Sequence, residues 1–224
     1  MPGRLTGGPT LARERQAWSV RALLVGVDEV GRGPLAGPVV AAAVAFPAGS
    51  KRIPGVRDSK TLSSRQRAEL VPQITRAAIT LAVAAASVRE IDRFNIRRAT
   101  ALAMRRAVNR AMNAPGFRAR ALASGATEFR VLLDGMPMPE CGFAHEALVD
   151  GDHLCYSVAA AGILAKEVRD TLMRRLAVRY PLFAWGSNAG YATGEHCRAI
   201  AAHGLTPHHR RSFTPVSQIS LPLG

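Results

Sequence analysis

Five acidic residues sit where surface acids seldom do. Asp28 and Glu29 directly follow the apolar run 22–27 (ALLVGV). Asp134 follows 129–133 (FRVLL), and Asp150 and Asp152 follow 145–149 (HEALV). Each run has the length and apolar character of a strand, so three strands end in acid. Adjacent strands would bring those ends to one edge of a sheet. At an effective dielectric near 20, two carboxylates about 4 Å apart cost roughly 4 kcal/mol. The cluster persists if a cation neutralises it or if its members share protons. Mg²⁺ or Mn²⁺ is the natural counterion, because hard divalent cations take oxygen ligands and Mg²⁺ keeps waters while bridging to phosphate. No His-Glu-x-x-His stretch or Cys-x-x-Cys pair offers a zinc alternative. Any one of these acids alone could simply end a strand or cap a helix; three strand ends together point to a metal site.

The charge balance suggests what such a site would act on. Thirty basic residues against 16 acidic give a net charge of +14. A soluble domain with that excess repels itself unless it meets a polyanion, and nucleic acid is the first candidate. Only Lys51, Lys60 and Lys166 are lysine, so a bias toward arginine codons competes as an explanation. A basic surface on a nucleic-acid backbone, with metal held over one phosphate, reads as phosphodiester hydrolysis. Two ions would activate a water and stabilise the leaving oxygen, leaving the protein mainly to position the reactants.

Other classes fall away. The 224 residues suit one domain with a core of its own, and 48% hydrophobic content excludes a disordered chain. No run approaches the roughly 18 apolar residues of a membrane span. The first twenty residues lack an apolar secretion core, so a cytoplasmic protein is expected. Gly31, Gly33 and Gly37 read G-x-G-x-x-x-G, not the dinucleotide fingerprint. Pro34 and Pro38 prevent a helix from starting there, and Asp28 and Glu29 would repel a pyrophosphate. The loop is either a plain tight turn or a place where backbone approaches a ligand. For an RNA partner, its peptide groups could hydrogen-bond a 2′-hydroxyl.

The elements that must hold these residues can be read from pattern. Residues 10–18 read as a short helix, and 39–46 as a strand returning beside the first. Ser63 with Gln66 forms a capping box for a helix toward Ala78, bent or interrupted by Pro72. Residues 79–88 read as a third strand, although their alanines also permit helix. Asn95 caps a helix to about Met112, with Arg97, Arg98, Arg105 and Arg106 on its outer face. A long helix spans 154–180, and a shorter one spans 193–203 with Gly204 at its end. Hairpins followed by crossovers give a mixed sheet flanked by helices.

Several stretches together resemble bacterial ribonuclease HII: GVDEVGRGPLAGPVV (26–40), RDSKTLS (57–63), IDRFNIRRATALAMRRAV (91–108), LLDG (132–135), SVAAAGILAKEVRD (157–170), GYATGEH (190–196) and HHRRSFTPV (208–216). The resemblance implies an α/β, ribonuclease H-like fold with a mixed five-stranded sheet and a helical C-terminal extension. Its divisions would be an N-terminal extension (1–20), a catalytic core (21–180) and a C-terminal extension and tail (181–224). It implies a monomer that needs Mn²⁺ or Mg²⁺, cuts the RNA strand of RNA–DNA hybrids, and nicks duplex DNA 5′ of a single embedded ribonucleotide. By resemblance Asp28, Glu29 and Asp134 are metal ligands and Asp152 is the fourth catalytic acid, with Asp170 as its fallback. Gly31, Arg32 and Gly33 match the ribose-sensing loop. Tyr191 matches a tyrosine that stacks at the ribonucleotide–deoxynucleotide junction, and Lys60 and Lys166 match basic residues near the scissile strand. A core tyrosine and helix-surface lysines are the alternatives. Only about twenty residues precede the first strand, which favours type HII over type HIII.

The chain departs from the family pattern at four places. Family members often have lysine at the position of Thr61, serine at Gly162, proline at Ala192 and lysine at Asp150. A hybrid-binding module with impaired catalysis is therefore the competing function. Asp150 adds negative charge beside Asp152, which should tighten metal binding or weaken the grip on phosphate. Asp150→Lys is thus expected to shift the metal optimum or the Michaelis constant; a variant with both unchanged would discard that role.

Overall fold

The first strand, β1 (Ala22–Val30), is buried along nearly its whole length, which is why its sequence reads as a continuous apolar run instead of an alternating one. In the computed structural model, which describes residues 8–214 and Val216, helix α1 (Ala12–Ser19) precedes it. The chain continues through β2 (Val39–Ala45), α2 (Ser64–Ala77), β3 (Thr80–Ala86), α3 (Val88–Met112), α4 (Phe117–Ala123), β4 (Glu128–Asp134) and β5 (Glu146–Leu148). Helices α5 (Gly151–Leu154), α6 (Tyr156–Arg179), α7 (Trp185–Asn188) and α8 (Gly194–His203) complete it. Most of the 1–20 extension is described, but residues 1–7 and the tail 217–224 lie outside the described residues.

The five strands form one mixed sheet in the order β3-β2-β1-β4-β5. β1 pairs antiparallel with β2 and parallel with β4; β2–β3 is antiparallel and β4–β5 parallel. β1, β4 and β5 therefore run the same way and release their C-terminal ends at one edge. The register pairs Val27 with Leu133 and Asp134 with Leu148, so Asp28 and Asp134 each come one step later at that edge.

Period-2 alternation sends the two faces of β1 to different layers. Leu23, Val25 and Val27 join a core with Ala99, Ala103, Met104 and Ala107 of α3. On the other face α6 and α2 build a second core with Val40, Ala42 and Val44 of β2. A third cluster joins Leu35 and Ala36 to Met173, Phe183, Trp185 and Ile200, so the C-terminal helices close over the glycine loop.

Several boundaries differ from the sequence reading. β1 runs on to Val30, so Asp28 and Glu29 lie within the strand and not after it. Pairing with β2 holds it straight: Asp28 and Glu29 face Ala42 and Ala41. The capping box at Ser63 and Gln66 forms, but α2 runs through Pro72 without interruption. Pro72 and Ala68, whose carbonyl the proline leaves free, are both exposed, so that carbonyl remains open to water. The alanine-rich run 80–86 is strand, because it pairs residue by residue with β2. Helix α3 begins at Val88, not after Asn95. A second capping box, Ser87 with Glu90, starts it, and Asn95 is a break inside it (φ 69°, ψ 166°). Asn95 still caps the helical turn beyond the break, its Oδ1 accepting from the Arg98 amide at 3.1 Å. Helix α4 has no counterpart in the sequence reading.

Helix α1 is fastened to the core by a buried acid. Glu14 Oε1 accepts hydrogen bonds from the amide and hydroxyl of Ser157 (both 2.7 Å) and from the Cys155 thiol (3.1 Å). The carboxylate thus caps the first turn of α6, where the helix dipole favours negative charge. One turn of α6 also lies directly on β1: a Cβ at Gly26 would collide with the backbone of Ser157 and Val158. Gly26→Ala is therefore expected to push α6 off the sheet and to destabilise the fold by about 2 kcal/mol or more. Chemical denaturation checks this, and a shift under about 0.5 kcal/mol would show that the contact is not rigid.

Candidate active site

Strand direction brings Asp28, Glu29 and Asp134 to one cavity, although among the described residues these acids and Asp152 do not form a group with ligand atoms within 4.8 Å of one another. Asp28 shares the α6-facing side of β1 with Gly26. On α6, Gly162 leaves the space in which Asp28 Oδ2 lies; a Cβ there would overlap that oxygen. Asp28 is buried and its Oδ1 accepts from the Glu29 amide at 2.6 Å. Asp134, the last residue of β4, accepts from the Gly151 amide at 2.7 Å, which ties the turn after β5 to the end of β4. That turn delivers Asp152, also buried.

Asp28, Glu29, Asp134, Lys60, Lys166 and Tyr191 line one cavity of about 430 Å³, together with Gly31, Arg32 and Gly33. Asp152 lies beside it, with Oδ2 4.0 Å from Lys60 Nζ. The acids are under-compensated. Burial first, then Glu29, Asp134 and Asp152, push the Asp28 carboxyl well above its ordinary range. Burial raises Glu29 as well, against the opposing pull of Arg32, whose Nη1 is 3.4 Å from Glu29 Oε1. Burial, then Asp134 and Asp58, raise Asp152. Lys60 loses charge preference by burial but is raised overall by Asp152, Asp58, Asp28 and Asp134. An all-carboxylate donor set in which Asp28, Glu29 and Asp152 are held above their normal proton affinity fits a hard divalent cation.

Two residues escape the sequence reading. Asp58, Asp152 and His153 offer ligand atoms that all lie within 4.8 Å of one another, the one such group found among the described residues. Asp58 is buried and its Oδ1 accepts from the Lys60 amide at 2.9 Å. Its position two residues before Lys60 was the available signal. Asp170, the fallback acid, is excluded: it is held by Lys166 and by Arg67, each at 2.7 Å.

The other wall of the cavity is the glycine loop. Gly31 has φ +95°, and a Cβ there would overlap the Arg169 side chain. Tyr191 is 47% exposed, which sets aside a core role. Its ring lies 3.7 Å from where a Gly33 Cβ would be. Its carbonyl is 2.9 Å from His196 Nδ1. Trp185 Nε1 donates to His196 Nε2 (3.0 Å), so Nδ1 carries the proton and donates to Tyr191. Burial lowers the proton affinity of His196 and takes His209 behind it down to about 4, keeping this chain neutral.

Known proteins match this chain over almost its whole length. The family model for ribonuclease HII matches residues 25–216. A ribonuclease HII of Ralstonia pickettii is 46% identical over 209 residues, covering 93% of this chain and 85% of its own. The ribonuclease H2 of Pyrococcus horikoshii shares the fold, with a TM-score of 0.68 at 23% identity over 88% of this chain and 96% of its own. So does a Bst ribonuclease HIII in complex with Mn²⁺, with a TM-score of 0.68 at 20% identity over 98% of this chain and 75% of its own.

The raised carboxylates make a prediction with a definite sign. Each binds protons more tightly in the folded chain than in the unfolded one. Their contribution to stability therefore falls as pH rises from the ordinary value, 3.8 for Asp28, through the raised native value. Asp28→Asn is expected to raise the melting temperature of the EDTA-treated protein at neutral pH, with the gain shrinking as pH falls toward 3.8. In a domain of this size each kcal/mol of relief reads as about 2–4 °C. Mg²⁺ or Mn²⁺ should stabilise the wild type more than the variant. A lower melting temperature for Asp28→Asn at neutral pH would mean that Asp28 is already compensated by protein.

Proposed function

The chain belongs to the ribonuclease HII family, and on that premise we propose that it hydrolyses the RNA strand of RNA–DNA hybrids and cuts duplex DNA 5′ of a single embedded ribonucleotide, leaving 3′-hydroxyl and 5′-phosphate ends. The observation that carries the reading is one cavity with under-compensated acids on one wall and a glycine loop beside an exposed tyrosine on the other.

Asp28, Glu29, Asp134 and Asp152 would hold the ions. Mn²⁺ or Mg²⁺ bound there supplies an activated water and charge stabilisation for the leaving oxygen. The remaining work is positioning. Lys60, whose side chain is 78% exposed, draws the scissile phosphate toward the acids. Lys166 is at the same wall but is shared with Asp170, so its pull on phosphate is partly spent within the protein. Peptide groups of Gly31, Arg32 and Gly33 read the 2′-hydroxyl, the group that separates RNA from DNA. The exposed ring of Tyr191 offers a stacking surface to the neighbouring nucleotide. The net charge of +14 supports the flanking duplex through its backbone.

A labelled duplex carrying one ribonucleotide, incubated with Mn²⁺, tests the reading. Cleavage 5′ of the ribonucleotide is expected, with loss of activity on adding EDTA. Asp134→Asn should lose more than the roughly 10–100-fold that accompanies removal of an outer-shell partner of a metal. Tight binding with no cleavage would instead favour a hybrid-binding module.

A further inference from the structure

The cavity wall that faces the nucleic acid is built on two buried cations with no anionic partner. Arg169 and Arg210 are both 0% exposed, and neither forms an ion pair among the described residues. Burying a guanidinium in this way is costly unless its donors find acceptors. Here backbone carbonyls provide them. Arg210 donates from Nε to Gly37 O (2.9 Å), from Nη1 to Arg32 O (2.8 Å) and from Nη2 to Gly31 O (2.6 Å). Arg169 donates from Nε to Pro38 O (3.0 Å), from Nη2 to Ala36 O (3.1 Å) and from Nη1 to Ala189 O (3.0 Å). Five of these carbonyls belong to the glycine loop; the sixth lies two residues before Tyr191.

A trans peptide points its C=O and its N–H in opposite directions. Fixing the Gly31 carbonyl inward on Arg210 therefore turns the Arg32 N–H outward. Fixing the Arg32 carbonyl does the same for the Gly33 N–H. Among the described residues nothing accepts from either amide, and Arg32 and Gly33 both line the cavity. Resting on the ribonuclease reading above, we propose that Arg210, with Arg169 beside it, is a positioning residue for ribose recognition, holding the loop so that the Arg32 and Gly33 amides face the 2′-hydroxyl.

Burial, then the neighbouring Arg169, pushes the Arg210 guanidinium down to about 9; it still carries its charge at neutral pH. Its planar fork meets three carbonyls at once. Lysine keeps the charge but not the fork, so Arg210→Lys separates geometry from electrostatics.

Affinity is measured in EDTA by fluorescence anisotropy, for a duplex with one ribonucleotide and for the same duplex entirely deoxy. The wild type is expected to prefer the ribonucleotide duplex. In Arg210→Lys that preference should fall by about 10-fold, the equivalent of one hydrogen bond, with affinity for the all-deoxy duplex unchanged. A structural defect alone would lower both affinities together. A folded Arg210→Lys that keeps the full preference overturns the inference and leaves the functional reading intact. A wild type without any preference removes the functional reading, and this inference with it. Hydrogen exchange on the wild type gives a second measurement that needs no variant to fold. The Arg32 and Gly33 amides should exchange rapidly in the free protein and slow on binding the ribonucleotide duplex; protection in the free protein overturns the proposal.

Discussion

Everything in this molecule is arranged around carboxylates that repel one another in a place water cannot fully reach. Parallel pairing of β1, β4 and β5 sends three strand ends to the same edge, and two of those strands carry an acid there. The repulsion is a consequence of topology: the parallel register that pairs Val27 with Leu133 puts Asp28 and Asp134 one step later on neighbouring strands. The surroundings do little to relieve it. Glu29 has one guanidinium at 3.4 Å, Asp152 has one ammonium at 4.0 Å, and Asp28 has neither. A site built to be neutral without a ligand would place its cations closer. This one keeps most of its thirty basic residues elsewhere, which suits a domain that needs local negative charge for a cation and diffuse positive charge for a polyanion.

The two walls of the cavity solve opposite problems. On the acid wall, charge is left uncompensated in the protein. On the loop wall, two buried guanidinium groups each donate to three backbone carbonyls. The first wall is poised to take up an ion. The second is rigid, because moving Gly31, Arg32, Ala36, Gly37 or Pro38 would strand a buried donor. The proposed discrimination of one hydroxyl needs that rigidity close to the acidic edge. The chain supplies it by running the glycine loop directly out of β1, one residue after Val30.

The sequence displayed the acid wall far better than the loop wall. Acids after apolar runs are visible because strands are short and their ends are marked by polarity. The exact end of β1 was not legible, since pairing with β2 carries the strand past its acids. Asp58 gives only a weak local sign, its place two residues before Lys60, because it lies in a loop, where an acid is ordinary; the fold brings it to Asp152 and His153. Arg169 and Arg210 were invisible for a similar reason. Among 30 basic residues nothing local marks the two that are buried without an ion pair among the described residues, and their acceptors are carbonyls, which every residue has. Ser87 and Glu90 form a capping box that is readable in the sequence alongside the Asn95 signal, and both are used within one helix.

Three of the four positions read as departures from the family pattern lie on the acid side of this site; the fourth, Ala192, follows Tyr191 on the loop wall. Gly162 sits against Asp28 Oδ2, where any Cβ would move the carboxylate. Thr61 donates to the Asp58 carbonyl at 2.7 Å and accepts from Arg57 Nε at 3.2 Å, bracing the turn that carries Asp58 and Lys60. Asp150 adopts φ 56°, a left-handed conformation that aspartate tolerates better than most residues, immediately before the turn that presents Asp152. All three act on where the carboxylates sit or how much charge they share. None touches the carbonyls held by Arg169 and Arg210. These three positions belong to the electrostatic half of the cavity, where side chains can shift. The half proposed to read the sugar rests on backbone geometry, which has less freedom.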